Sequence, residues 1–357
     1  MKFVNKSSIA KIGQYRPGEG NIFDKEIIKL SSNENPFGCS ELAKKAYLDT
    51  ANYLNRYPEG SSRDLREAIA QENNIDPDNI TCANGSDEIF NLIIAAFTEE
   101  GSEVIYTEHG FLMYKFYALV NSAIPIAAKE TNLRADINNI LAQVTAKTKI
   151  VFIANPNNPT GSYLTNDELI QLRKKLPENI LLVIDGAYAE YVSNNDYEDG
   201  FALVKDYQNV IATRTFSKIH GLASLRVGYC YANSEVIEVL NKVRGPFNVN
   251  LAAQMAAVAA IKDTSFSERS RLHNDRWLKK FSIEFANLGI EFIDSVGNFF
   301  LIKLSSSKRE KYYSFLDKNK IKIRKVDAYG LSDYLRITVG SDIENEKLLK
   351  LTKEFWL

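Results

Sequence analysis

The sequence contains little cysteine and little histidine. Three of each occur in 357 residues, and Cys39, Cys82 and Cys230 form no CxxC pair. The three histidines show no HExxH or HxH spacing. Neither a zinc site nor a disulfide framework is therefore indicated, and we expect no metal ion and a reducing compartment, most simply the cytoplasm.

The chain also lacks an excess of charge and long apolar runs. Lys and Arg number 44 against 45 Asp and Glu, so no basic field suggests a nucleic-acid partner. No run approaches the roughly 18 apolar residues of a membrane helix, and residues 1–20 have no continuous apolar segment. We expect neither a nucleic-acid nor a membrane partner.

Short runs rich in β-branched residues alternate with amphipathic segments through the first two-thirds of the chain. The runs are residues 102–107, 149–154, 180–185, 209–216 and 225–232. Most are continuously apolar, which is typical of strands buried on both faces of a largely parallel sheet. Helices are predicted over 86–101 and 165–179, the second with Thr165 and Glu168 spaced as in a capping box. Repeated strand and helix predict a doubly wound α/β fold.

Polar residues follow these strands at the edge where parallel sheets bind ligands. Lys218 lies between apolar Phe216 and Ile219, and an amine desolvated there has a lowered pKa and can attack a carbonyl. Arg226 would lower that pKa further. The alternative is a lysine that reaches solvent from a helix start.

Three other loops carry weaker signals. Asp185 ends an apolar strand, where it is either a turn residue or a carboxylate that needs a cation such as a protonated pyridine nitrogen. Residues 84–87, Asn-Gly-Ser-Asp, are either a plain helix cap or a phosphate cradle. Asn158, in a Pro-rich turn, supplies an amide donor. With Lys218 and Tyr188, these groups form the set that pyridoxal phosphate requires.

The chain resembles the fold-type I pyridoxal-phosphate enzymes and, within them, the histidinol-phosphate aminotransferase family, over nearly its full length. The motifs that carry the resemblance are YRPGEG, LSSNENPFG, NRYPEGSSRDLREAIA, NGSDEIFNLIIAAF, NPNNPTG, DGAYAEY, RTFSKIHGLASLRVGY, GPFNVN and YLRITVG. In this order and spacing they are very specific for the fold and the cofactor. They are less specific for the substrate.

The resemblance implies a role for each matching residue. Lys218 would bond to the cofactor aldehyde and then act as general base and acid. Asp185 would keep the ring nitrogen protonated, while Asn158 and Tyr188 would contact the phenolic oxygen. The other implied cofactor residues are Ser86, Asp87, Ser217 and Arg226 at the phosphate, with Phe111 stacked on the ring. For Asp87, itself an anion, a place as helix N-cap and orienter of donors is physically easier than direct contact.

The resemblance also implies partners. Tyr57 would reach the cofactor phosphate of the other subunit, which requires a homodimer; a surface tyrosine in a turn is the alternative. Tyr15, Arg324 and Arg336 would bind substrate, with Asn33 close by. Arginine suits phosphate and carboxylate alike, as expected for histidinol phosphate as one small-molecule partner and glutamate or 2-oxoglutarate as the other.

Other functions stay open at this point. The same fold serves decarboxylases of threonine or serine phosphate, and aminotransferases for another phosphorylated ketone or an aromatic amino acid. A cofactor-binding protein without catalysis is a further alternative, although such a protein need not keep Lys218.

Two short segments depart from the family pattern. Many relatives have Asp-Glu-Ala-Tyr where this chain has Asp-Gly-Ala-Tyr, with Gly186 in second place, and a Pro-Thr pair where it has His109-Gly110. The first departure should leave the pyridine contact of Asp185 intact. The second adds a histidine beside the stacking aromatic, Phe111.

The strand and helix pattern changes after residue 250. A long helical stretch over 251–288 is followed by short strands and helices, as in a smaller α+β domain. We predict an N-terminal arm and part of the small domain over 1–30, a large cofactor-binding domain over 31–245, and a small domain over 246–357.

Overall fold

The computed structural model describes residues 6–13, 24 and 26–356, and its strands form three sheets. The strands are β1 (Ile28–Lys29), β2 (Ile80–Ala83), β3 (Glu103–Thr107), β4 (Ile124–Ala128), β5 (Thr148–Ala154), β6 (Leu181–Asp185), β7 (Val210–Thr215), β8 (Gly228–Ala232), β9 (Glu291–Ile293), β10 (Phe299–Lys303), β11 (Ile321–Lys322), β12 (Arg324–Lys325) and β13 (Tyr334–Thr338).

The α-helices of the described residues lie largely between these strands. They are α1 (Glu41–Asp49), α2 (Arg63–Asn73), α3 (Gly85–Phe97), α4 (Leu112–Val120), α5 (Ile137–Leu141), α6 (Asn166–Lys175), α7 (Phe201–Asp206), α8 (Ser234–Val243), α9 (Leu251–Lys262), α10 (Thr264–Asn287), α11 (Ser306–Lys318) and α12 (Asp342–Trp356).

The largest sheet has seven strands in the order β2-β8-β7-β6-β5-β3-β4. Only β8 runs antiparallel to its neighbours, so the predicted, mostly parallel α/β fold is confirmed. Along β5, Ile150 and Phe152 pack into one core cluster, while Val151 and Ile153 pack into the cluster on the other face. This two-sided burial is the reason that the strand is continuously apolar.

The sequence patterns did not show two strands of this sheet. β2 has four residues, which is too short for a clear pattern, and β4 lies at the edge and contains Pro125. Proline is tolerated in edge strands because its missing N–H faces no neighbour.

Helix boundaries follow from local chemistry. The predicted capping box is present in α6: Thr165 Oγ1 accepts from Glu168 N, and Glu168 Oε2 accepts from Thr165 N. This helix ends at Lys175 rather than 179, since Pro177 disfavours helical geometry in the residue before it. The single helix predicted over 251–288 is wrong. The helical stretch is interrupted at Asp263, which separates α9 from α10. The carboxylate of Asp263 accepts a hydrogen bond from Phe266 N and caps α10.

A second sheet, of order β12-β13-β10-β9, is antiparallel and packs against the aromatic side chains of α10, including Phe281 and Phe285. β1 pairs in parallel with β11, so residues 28–29 lie beside residues 321–322. The division into segments 1–30, 31–245 and 246–357 stays a prediction. Within the described part of the chain, no helix is long and apolar enough to cross a lipid bilayer.

Candidate active site

A cleft opens where β5, β6 and β7 end and α3 begins. Its lining residues are Ser86, Asp87, Phe111, Ala154, Pro156, Asn158, Asp185, Ala187, Tyr188, Thr215, Ser217, Lys218 and Arg226. All of the predicted cofactor residues except Tyr57 lie in this set. The cleft therefore stands at the carboxyl edge of the sheet, where loops from successive parallel strands converge.

The amine of Lys218 lies within the cleft and donates a hydrogen bond to the main-chain oxygen of Ser32 at 3.3 Å. Desolvation, and then the positive charge of Arg336, lower the pKa of Lys218 to about 8. Near neutral pH part of the Lys218 population therefore has an unprotonated amine. Such an amine can attack a carbonyl or accept a proton.

Asp185, at the end of β6, is only 4% exposed. Its carboxylate accepts hydrogen bonds from Tyr114 OH at 2.6 Å, from Ala187 N at 3.2 Å and from Thr213 Oγ1 at 3.3 Å. Burial raises the pKa of Asp185 to about 6, against the effect of these bonds. All three donors are neutral, and within the described residues Asp185 forms no ion pair. The cationic ring nitrogen of a ligand would give this carboxylate the charged partner that it lacks among these donors.

Sequence reasoning missed Tyr114 and Thr213, the two side chains that hold Asp185. Tyr114 is fully buried on α4, three residues after Phe111 and so on the same helix face. That spacing is the signal that could have indicated Tyr114. Thr213 lies beside Asp185 in the β6–β7 pairing, which the sequence does not show.

The start of α3 and Arg226 bring together hydrogen-bond donors that suit an anion. Arg226 Nη1 donates to Ser217 Oγ at 3.1 Å, and Nη2 contacts Asp87 Oδ2 at 3.2 Å. A Cβ at Gly85 would lie 2.5 Å from Arg226 Nη2, so glycine permits this approach. The first turn of a helix carries N–H groups with no partner inside the helix, and these suit a phosphate.

The predicted N-cap position of Asp87 is wrong. The N-cap of α3 is Asn84, and Asp87 is the third helical residue. Asp87 instead forms an ion pair with Arg226, which orients the guanidinium towards Ser217.

The opposite wall of the cleft is hydrogen-bonded to the second sheet. Asn33 Nδ2 donates to Tyr188 OH at 2.8 Å. Arg336, buried on β13, donates to Asn158 Oδ1 and, at 2.7 Å, to the Ser31 main-chain oxygen. The oxygen of the Asn158 amide is thereby engaged, so its nitrogen is the group that can donate to a ligand.

Of the predicted residues that the structure describes, four are not among the lining residues: Asn33, Arg336, Arg324 and Tyr57. Asn33 and Arg336 nevertheless bond to Tyr188 and Asn158, which line the cleft. Arg324 lies directly across from Arg336 in the antiparallel β12–β13 pair. Tyr57 is 82% exposed and stacks on Phe247, with ring centroids 4.7 Å apart. Tyr15 falls outside the described residues.

Glycine at position 186, one of the two departures from the family pattern, leaves space for a buried arginine. A Cβ at position 186 would overlap the guanidinium of Arg214, which pairs with Asp199 at 2.6 Å and donates to the Thr213 main-chain oxygen at 2.8 Å. Glycine therefore makes room for an arginine that supports Thr213, and Asp185 keeps its place at the end of β6.

Comparisons with known proteins agree with this geometry. Residues 25–352 match the family model for aminotransferase class I and II. The histidinol-phosphate aminotransferase of Rhodopseudomonas palustris (strain TIE-1) is 44% identical, over 99% of this chain and 98% of its own. That of Nitrobacter winogradskyi is 43% identical over the same shares.

Solved structures give the same result. The crystal structure of histidinol-phosphate aminotransferase from Sinorhizobium meliloti in complex with pyridoxal-5'-phosphate is 26% identical, with a TM-score of 0.87 over 92% of this chain and 90% of that one. A cleft with a desolvated lysine, a buried carboxylate and donors that suit an anion thus lies on a shared fold. The chain belongs to the class I and II aminotransferases.

Proposed function

We propose that this aminotransferase uses pyridoxal phosphate and acts on histidinol phosphate, with glutamate and 2-oxoglutarate as the other substrate pair. The main support for histidinol phosphate as the substrate is the 44% identity to a curated histidinol-phosphate aminotransferase over 99% of the chain. The cofactor is supported by the residues of the cleft and by the ligand of the Sinorhizobium meliloti structure.

The lysine and carboxylate of the cleft would divide the chemistry. When bound, the cofactor supplies an electron sink for the bond that breaks at the substrate's α-carbon. Lys218, with a pKa of about 8, would hold the cofactor through its aldehyde carbon until the substrate's amine displaces it. The freed amine of Lys218 would then take the proton from the substrate's α-carbon and deliver it to that aldehyde carbon. Asp185, as an anion, would keep a proton on the ring nitrogen.

The other lining residues would bind and orient the cofactor. Ser86, Ser217, Arg226 and the first turn of α3 would hold the cofactor phosphate, with Asp87 orienting Arg226. Asn158 and Tyr188 would contact the phenolic oxygen, and Phe111 would pack on the ring. These roles are those that the family resemblance implies, and the position of each side chain in the cleft supports them.

For the substrate, we propose that Arg336 and Arg324 bind anionic groups. The two arginines are cross-strand partners on β12 and β13, and Arg336 donates to Asn158. A guanidinium binds phosphate or carboxylate through two parallel bonds, so one site can serve histidinol phosphate in one half-reaction and glutamate in the other. Tyr15 and Asn33 complete this proposed pocket.

Glutamate turnover tests the proposed function. We expect glutamate to convert the cofactor to its amine form without release of carbon dioxide, and histidinol phosphate with 2-oxoglutarate to yield glutamate. Histidinol, the matched control without the phosphate, should have kcat/KM lower by roughly 10²-fold or more, because two charge-assisted bonds are lost. Carbon dioxide from a phosphoamino acid, with no response to glutamate, would instead indicate a decarboxylase.

We further propose a C2 homodimer in the cytoplasm, with Tyr57 at the partner's cofactor phosphate. Around Tyr57 lie other exposed apolar side chains, including Leu54 at 83% exposure, Tyr53 and Phe247. An exposed apolar patch on this scale is typical of an interface. The three cysteines are free, as is usual in the reducing cytoplasm.

Tyr57→Phe tests that contact. We expect the Kd for the cofactor to rise by several-fold, because one hydrogen bond to a charged phosphate is lost while the ring is kept. Equilibrium titration of the cofactor-free protein measures it, and Tyr53→Phe, a neighbouring exposed tyrosine, is the matched control. Identical affinities in the two variants would favour a plain surface tyrosine.

A further inference from the structure

We propose that His109 is a positioning residue that fastens the loop carrying Phe111 to the segment 326–331, between the two arginine-bearing strands β12 and β13. The inference rests on the proposed function in one respect: Phe111 matters because it would pack on the cofactor. The contact itself joins residues 220 positions apart in the sequence.

The main chain of this loop is held at several points. Gly110 N donates to Thr107 O at 2.7 Å, and a Cβ at position 110 would lie 2.9 Å from that oxygen, so the tight turn requires glycine. His109 N donates to Glu130 Oε1 at 3.2 Å, and His109 O accepts from Asn157 Nδ2 at 3.4 Å. Gly110 therefore permits the tight turn, and this turn together with the main-chain bonds of His109 fixes the position of the His109 side chain.

The imidazole makes the long-range connection. His109 Nδ1 lies 2.7 Å from the main-chain oxygen of Tyr329. A carbonyl oxygen only accepts, so Nδ1 carries the hydrogen in this bond. The neutral Nδ1–H form and the imidazolium both provide that donor.

An apolar contact runs beside the polar one. Leu112, the first residue of α4, packs against the buried cluster of Leu301, Val326, Tyr329 and Leu331. Phe111 thus lies between His109, which bonds to Tyr329, and Leu112, which packs against the cluster that includes three residues of the segment 326–331. Movement of that segment would be transmitted to Phe111 from both sides.

The same segment also lies near Tyr114, which donates to Asp185. Burial and then Asp185 are the main causes that raise the pKa of Tyr114, and the phenol of Tyr329 adds to the shift. Tyr329 therefore lies within electrostatic range of the side chain that donates to Asp185. The bond from His109 Nδ1 to the main-chain oxygen of Tyr329 thus fixes the distance between Tyr329 and the Phe111 loop. Because Tyr329 lies between β12 and β13, the same bond also positions the loop relative to the strands that carry Arg324 and Arg336.

The test compares His109→Ala with His109→Asn, since an asparagine side-chain nitrogen can take the place of Nδ1. In His109→Ala we expect KM for the amino substrates to rise about tenfold, as for one lost hydrogen bond, while kcat changes by less than about threefold. His109→Asn should recover most of the loss. His273→Ala is the matched control, because His273 also bonds a main-chain oxygen at 2.8 Å, but that oxygen is on Gly340, outside the segment 326–331. It should leave KM unchanged.

A second readout needs no turnover. In the cofactor-free protein, His109→Ala should accelerate deuterium exchange at the amides of Tyr329 and Gly330, which bond within the segment, and His109→Asn should restore the protection. Unchanged exchange at these amides, or a KM increase that His109→Asn does not recover, would overturn the proposal. If the protein failed to process glutamate, the proposed function would fall, while the exchange result would still decide the role of His109.

Discussion

Lys218→Ala is expected to lower kcat by roughly 10⁴-fold or more while the fold is kept. The reason is that Lys218 is proposed to supply both the covalent attachment and the proton transfer, and no other lysine lines the described cleft. A loss of this size corresponds to about 5 kcal/mol of transition-state stabilisation. Steady-state turnover with glutamate measures it, and Lys205→Ala, at an exposed lysine of α7, is the control.

A further variant separates charge from chemistry. Lys218→Arg keeps a cation in the cleft, but a guanidinium does not lose its proton in proteins. We expect it to be as inactive as Lys218→Ala. If either variant kept more than about 1% of the wild-type rate, in contrast to the usual cost of losing a general base, Lys218 would not be the catalytic amine.

Lys218 also makes the stability of the cofactor-free protein depend on pH. Its pKa is about 8 when folded, below the ordinary 10.5, so the unfolded chain binds more protons between these values. The free energy of unfolding of wild type relative to Lys218→Ala should therefore rise with pH across that interval, by up to about 3 kcal/mol. Denaturant titrations at the two ends measure this difference. A flat difference would contradict the desolvated amine.

Asp185→Asn is expected to lower kcat by roughly 10³-fold, about 4 kcal/mol. Asparagine keeps the shape of the side chain but cannot hold a proton on the ring nitrogen through a negative charge, so the electron sink is weakened. Turnover and the affinity for the cofactor are measured together, with Asp206→Asn, at an exposed carboxylate at the end of α7, as control. A wild-type rate in Asp185→Asn would remove the assignment of Asp185.

The same substitution should stabilise the cofactor-free protein at pH 8. The folded pKa of Asp185 is about 6, above the ordinary 3.8, so its contribution to stability is lost as the pH rises between these values. Removing the buried charge should then increase the free energy of unfolding by up to about 3 kcal/mol at pH 8, and little at pH 4. Lower activity with higher stability is the expected signature of a carboxylate kept for function.

Local sequence predicted several parts of the fold and site. Residues 149–154 are continuously apolar and form a strand buried on both faces, and Thr165 with Glu168 forms the predicted capping box. Lys218, Asp185, Asn158 and Arg226 follow strands of one sheet and share one cleft. These features could be predicted because each depends on the pattern of a few neighbouring residues and on the rule that parallel strands end at one edge.

Tertiary structure alone decided the contacts that join distant parts of the chain. Tyr114 and Thr213 hold Asp185 from 71 and 28 positions away, and Arg336 reaches Asn158 across 178 positions. The break at Asp263 and the bond from His109 to Tyr329 were likewise not predicted from the sequence. The sequence by itself determined the fold class and the family, and it predicted most of the residues that line the cleft. Only the folded chain determined which side chains orient that set, because such pairs depend on the three-dimensional path of the backbone and leave no periodic or local pattern.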